Sequence, residues 1–191
     1  MKRWTAVLCA SALLLVVKSG SATTVVPPSF DDLVSSAETI FIGEVVDQRS
    51  MWETKVDGRS IVTVVTFDVT RVLKGRLGLR TELTFLGGTM GDLTEQVVDM
   101  PKFRLGEEDV LFVSSERYSA SPLVGFSHGR FRIETDPATR QPIVRDHDGK
   151  PLILGLDASK PIGLNLGTRG PLQLDEVESM VRDRVRRPRV K

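Results

Sequence analysis

The sequence has one cysteine, Cys9, and it lies in the apolar run that opens the chain. The body of the chain therefore has no disulfide framework, no thiolate nucleophile and no cysteine-based zinc site. A domain of this kind is held together by its apolar core alone. Histidine is nearly as scarce, with His128 and His147 the only two. Neither sits in a His-x-x-x-His or similar spacing, so the pattern offers no metal site and calls for no cofactor. Eight Phe, two Trp and one Tyr are too few aromatics for a platform on which a nucleic-acid strand could stack. After Val17 no long apolar run occurs.

The one run present, Trp4 to Val17, follows Lys2 and Arg3 and leads into "KSGSA". Basic start, short apolar stretch and small residues at Gly20 and Ala22 together read as a secretory signal peptide over residues 1–22. The run is shorter than the roughly 20 residues that cross a bilayer. Residues 23–191 then form a single domain, exported to the periplasm or the extracellular space. Residues 1–22 carry three of the 26 basic residues and no acid. From Arg182 on, six basic residues face one acid, which leaves 17 basic against 24 acidic between Thr23 and Val181. An acidic body repels nucleic acid, whereas the basic tail suits anionic lipid or an acidic partner.

Local patterns give the element order. Ser29 is a helix N-cap before Phe30, Leu33, Val34 and Ala37, which share one helical face. "ETIFIGEVVDQRSMWE" is a long first strand with a bulge expected at Gly43, Asp57-Gly58 a hairpin turn, and Ile61–Leu73 the return strand. The return strand carries Ile61, Val65, Phe67, Val69 and Leu73 on one face, is interrupted by Arg71 and ends on Lys74-Gly75, with Lys74 read as a solvated strand end. "TELTFLG" is a third strand, "GGTMGD" a turn, "LTEQVVDM" a fourth strand and "DVLFV" a central one. "LVGFSHGRFRIET" reads as one strand through His128, followed by the turn "DPATRQ" and the strand "PIVRD". An irregular connection from Gly155 to Gly170 precedes a final helix. Its stripe is Leu174, Val177, Val181 and Val185, with Asp175 and Glu178 as a capping box. The expected fold is mainly β: an antiparallel OB-like β-barrel with a short N-terminal helix and a C-terminal amphipathic helix.

No motif carries a catalytic constellation. "DHDGK" places Lys150 where a calcium loop needs an oxygen, and "GGTMG" lacks the Lys-Ser/Thr of a phosphate loop. No Gly-x-Ser-x-Gly elbow occurs. Glu107-Glu108-Asp109 reads as a solvated loop, since neighbours in a strand alternate sides. Loops on a rigid β framework are where recognition concentrates. The candidate binding residues are accordingly Gly87, Gly88 and Gly91 of the glycine-rich corner, Phe103 and Arg104 of "KFRLGE", and His128 and Arg130 of "FSHGRF".

The stretches "SSAETIFIGEVV", "VTFDVTRVLKG", "LGGTMGD", "PKFRLGEEDVLFV" and "LVGFSHGRFRI" resemble a group of exported bacterial proteins of unknown function. A long strand ending in Lys-Gly, an "F-x-x-G-E" loop and an apolar strand are also similar to bacterial relatives of the netrin and tissue-inhibitor-of-metalloproteinase module. That second resemblance implies an OB-type barrel. Its inhibitors use an amino-terminal cysteine on the catalytic zinc, and a chain without cysteine after residue 22 departs from that mechanism. The expected function is a non-enzymatic binding module for an envelope or secreted protein. Two alternatives stand beside it: a peptidase inhibitor or peptidase-associated module, and a hydrolase built on His128.

Overall fold

The computed structural model describes residues 27–55, 58–116, 120–153 and 170–187. The signal segment, Asp57, nearly all of the 155–170 connection and the last four residues lie outside them.

Helix α1, Phe30–Ser36, starts at Ser29, whose hydroxyl accepts the Asp32 amide while the Asp32 carboxylate accepts the Ser29 amide. Phe30, Leu33, Val34 and Ala37 are all buried, as their spacing predicts. The chain then enters β1 (Ala37–Lys55), 19 residues long, which pairs antiparallel with the 17 residues of β2 (Gly58–Lys74). Their register shifts at Ile40/Phe41, Ile42/Gly43 and Val45/Asp47. The bulge expected at Gly43 is thus present, and a Cβ there would meet Asp68 O at 3.1 Å. Bulges let one long strand bend enough to serve two layers. Val65, Phe67 and Val69 of β2 face one core, whereas Leu73, expected on the same face, packs against the other, beyond the register shifts at Ile42/Gly43 and Ile40/Phe41.

The remaining strands are β3 (Arg80–Leu86), β4 (Gly88–Met90), β5 (Leu93–Glu95), β6 (Glu108–Ser114), β7 (Arg130–Thr135) and β8 (Pro142–Arg145). Six form an antiparallel sheet in the order β3-β2-β1-β6-β7-β8, and β4 and β5 form a separate hairpin. Among the described residues no ladder joins β3 to β8. Residues 120–124 nonetheless link the two halves. Leu86 N donates to Ala120 O at 2.8 Å, and Ser114 N donates to Pro122 O at 2.8 Å. Helix α2, Leu174–Arg186, closes one face.

Both faces of the sheet centre are buried. Ile40, Ile42, Val110, Phe112, Phe131 and Val144 meet Phe30 and Leu33 of α1 and Val177 and Val181 of α2. On the opposite face lie Phe41, Val45, Val65, Phe67, Phe85, Phe103 and Leu111. Among the described residues no helix is long and apolar enough to cross a membrane.

Several sequence expectations are corrected. The fourth strand is only Leu93–Glu95, because "GTM" of the expected turn is itself β4 and pairs with it. "LVGFSHGRFRIET" is not one strand: Gly125 takes φ 64°, Phe126–Gly129 form a 3-10 turn, and β7 begins at Arg130. The capping box of α2 is Gln173 with Glu176, not Asp175 with Glu178. Glu178 is buried and paired with Arg71 and Arg182.

Lys74 is half-buried rather than a solvated strand end. Its Nζ donates to Val34 O at 2.7 Å and Ala37 O at 2.5 Å, which caps the carbonyl end of α1 with a cation. Burial pushes its pKa below the ordinary lysine value. Gly75 follows with φ +79°, where a Cβ would lie 2.7 Å from Thr39 Cγ2. The Lys-Gly step therefore locks the end of β2 onto the junction of α1 and β1.

Candidate functional site

The inner face of the sheet changes character from one end to the other. Across β1, β2 and β3 it is apolar. Where it reaches β6 and β7, strict alternation puts Glu107, Asp109 and Leu111 on this face together with Arg130, Arg132 and Glu134. Asp109 lies directly opposite Arg132 in the ladder. The face therefore becomes an alternating set of charges, continued by Arg145 of β8, whose Nε donates to Glu134 at 2.5 Å.

Arg130 is the centre of this set and is only 2% exposed. Its Nε donates to Asp109 Oδ1 at 2.8 Å and its Nη2 to Glu107 Oε2 at 2.7 Å. Its Nη1 donates to the Lys102 carbonyl. The guanidinium carbon lies 4.2 Å from the centre of the Phe103 ring, a cation-π contact of the kind that strengthens when desolvated. All of its hydrogen-bonding ends are thus directed into the protein. Asp109 is fully buried, and its Oδ2 has no hydrogen-bond partner. Burial raises its pKa from 3.8 to about 6 against the opposing attraction of Arg130. Glu107 and Asp109 are therefore not part of a solvated loop. The alternation that separates Glu108 from them also aligns them with Arg130 and Arg132.

This ion cluster holds down residues 99–104. Besides the Arg130 bond to Lys102 O, Arg104 N donates to Glu107 Oε2 at 3.1 Å and Glu107 N to Arg104 O at 3.1 Å. Phe103 enters the core, its ring centre 5.4 Å from Phe67 and 5.0 Å from Phe85. Asp99 turns the chain with φ 60°.

A cleft lies on each side of this segment. The larger, ≈ 640 Å³, has Val65, Phe85 and Phe103 in its floor and Gly87, Gly88, Thr94, Val97 and residues 98–104 around it. The smaller, ≈ 320 Å³, lies over the charged face and is lined by Lys102, Arg104, Glu107, Arg130, Arg132 and His147 among others. The glycine corner is built by close approach: a Cβ on Gly88 would stand 2.5 Å from Thr63 Oγ1 and 2.7 Å from Ser50 Oγ, at φ +145°. Val98, 83% exposed, and Leu93 and Leu105 add apolar surface close to the larger cleft.

Four of the seven candidate residues, Gly87, Gly88, Phe103 and Arg104, line the larger cleft. Arg104 also lines the smaller one, together with Arg130. His128 lines neither cleft; its ring centre is 4.5 Å from that of His147, which lines the smaller one. Burial, and then the neighbouring His147, push the His128 pKa below its ordinary value. Gly91 lies at the tip of the β4–β5 hairpin and lines neither cleft.

Sequence reading missed Glu107, Asp109, Arg132 and His147. The signal available was the matched alternation of Glu-x-Asp with Arg-x-Arg. Among the described residues no group of three His, Cys, Asp or Glu is placed to hold a metal. Neither histidine is hydrogen-bonded to a serine hydroxyl there; Ser121 Oγ donates instead to the Phe126 carbonyl. Of the tail arginines within the described residues, Arg182 pairs with Glu178 and Arg184 with Asp31, which leaves Arg186 and Arg187 at the surface. Comparisons with family models, with curated proteins and with solved structures each found no match, so the functional reading rests on this geometry.

Proposed function

We propose that the chain is exported, loses residues 1–22, and acts as a non-enzymatic, barrel-like binding module that holds a segment of an envelope or secreted protein in the larger cleft. The observation that carries this reading is the cleft itself. An apolar floor of Val65, Phe85 and Phe103 lies beneath a rim of backbone and small polar groups at Gly87, Gly88, Thr89 and Thr94. Apolar floors with a few polar groups at the edge are what binding sites offer. The barrel-like part of the reading is supported by the bonds through which residues 120–124 join β3 to β6. A hydrolase built on His128 is less well supported, because its nearest ring partner is another histidine. Inhibition of a peptidase is a special case of the binding reading and is tested with it.

The test uses the tagged protein as bait on the envelope and culture fluid of its source cell. Thr94→Trp places an indole in the cleft from an exposed position, and Arg186→Glu with Arg187→Glu reverses the surface charge at the end of α2. A stoichiometric partner retained by the unaltered chain and lost with Thr94→Trp supports the reading. A partner lost only with the arginine reversals moves the contact to the basic tail. Identical captures from the unaltered chain and Thr94→Trp overturn the cleft as the site.

A further inference from the structure

Residues 99–104 have an unusual position: they form a wall of both clefts, and their fastening to the sheet passes through a buried ion cluster. Arg130 lies beneath Lys102 and Phe103, and Asp109 lies beneath Arg130. The Asp109 carboxylate is 0% exposed, with Arg130 over it on the cleft side and Gly43 beside it on the β1 side. The charged groups facing Asp109 are Arg130 and Arg132 from β7 and Glu107 from its own strand end. His147 faces the same cleft from the turn after β8.

We propose that residues 99–104 are a pH-sensitive strap, held closed over the Arg130–Asp109 stack when Asp109 carries a proton and released when it is ionised. The linkage fixes the direction. Closed, the carboxylate is buried with one oxygen lacking a donor, which disfavours the charge. Open, it is hydrated and beside a guanidinium, which favours the charge. A proton therefore binds more tightly to the closed form, and acid closes the strap. Asp109 rises from 3.8 to about 6 in the closed form, so the open-to-closed ratio grows by about 100-fold between the two ends of that window. Above it the ratio is constant. The groups that drive the strap all belong to the chain itself, so this inference stands apart from the identity of what the larger cleft holds.

Hydrogen exchange of the 99–104 amides in the purified protein measures the opening directly. Protection, corrected for the intrinsic pH dependence of exchange, should fall by about 100-fold from pH 4 to pH 7. The amides of the turn after β7, around Asp136 and Gln141, should keep theirs. Asp109→Asn should abolish the slope. Flat protection in the unaltered chain overturns the proposal, as does an equal slope in Asp109→Asn, which would assign the effect to a group other than Asp109. If that variant does not fold, the carboxyl carbon of Asp109 in the unaltered protein decides by NMR. A midpoint above the ordinary aspartate value that coincides with the midpoint of the protection profile sustains the strap, and a midpoint at the ordinary value removes its driving force.

Discussion

Replacing Arg130 by methionine tests the buried cluster at its centre. The substitution keeps an unbranched apolar side chain over Phe103 but removes the donors to Asp109, Glu107 and the Lys102 carbonyl. Even with Arg130 present, burial lifts Asp109 from 3.8 to about 6, a penalty on its charged form on the order of 3 kcal/mol. Without the guanidinium the carboxyl moves higher still and is protonated at pH 7. Breaking a buried pair from one side typically costs about 3–5 kcal/mol, and that is the loss expected at pH 7 from urea unfolding. At pH 5 the loss should be smaller, because Asp109 is by then protonated in the unaltered chain as well. The difference is the free energy of one pH unit above the Asp109 midpoint, about 1.4 kcal/mol. The sign follows from the raised pKa: the stability that Asp109 confers is full below 3.8 and declines as the pH rises through 6. A loss below about 1 kcal/mol at pH 7, or equal losses at the two pH values, would refute the description of this cluster as a buried, coupled pair.

Lys74→Met removes the cation from the carbonyl end of α1, where Val34 O and Ala37 O accept from Nζ; urea unfolding should show a loss of about 1–2 kcal/mol. Gly91→Ala, at φ +60° in open space, should cost only the left-handed penalty of about 1 kcal/mol. Gly75→Ala, at φ +79° with Thr39 Cγ2 at 2.7 Å and Glu38 O at 2.9 Å, should cost at least about 1 kcal/mol more than that by the same measurement. Equal losses for the two glycines would show that the α1–β1 junction yields to a side chain.

What could be read from the sequence was set by local chemistry. The N-cap at Ser29, the helical face of α1, the Val177–Val181 part of the α2 stripe (Val185 is exposed), the bulge at Gly43 and the central place of "DVLFV" depend on residues within one turn or one ladder step. The two errors about charge are long-range. Asp109 reads as solvated because its partner Arg130 is 21 residues away, and Lys74 because the carbonyls it caps are about 40 residues before it. A charged side chain carries no local mark of burial; its partner decides. His128 was placed in a strand because "FSHGRFRI" alternates convincingly. The left-handed Gly125 just before it starts a 3-10 turn that alternation does not reveal. The candidate site was half legible for the same reason: glycines and loop residues mark its rim, while the acids that hold the rim in place lie inside a strand.

Arg130 has a double position that governs how variants here should be read. It lines the smaller cleft, yet its donors all point to Asp109, Glu107 and a backbone carbonyl of the segment shared with the larger cleft. Loss of binding on replacing Arg130 therefore reports the placement of residues 99–104 before it reports any contact with a ligand. Thr94 has the opposite character, exposed at the rim of the larger cleft, with its hydroxyl 3.1 Å from that of Thr89. Its replacement alters the cleft and leaves the ion cluster intact. The two kinds of loss are separable by pH: one that follows Asp109 should change between pH 5 and pH 7, and one that follows the shape of the rim should not. A binding defect at Arg130 that did not vary over that interval would instead make its guanidinium a direct ligand contact, which requires it to leave Asp109 when the ligand arrives.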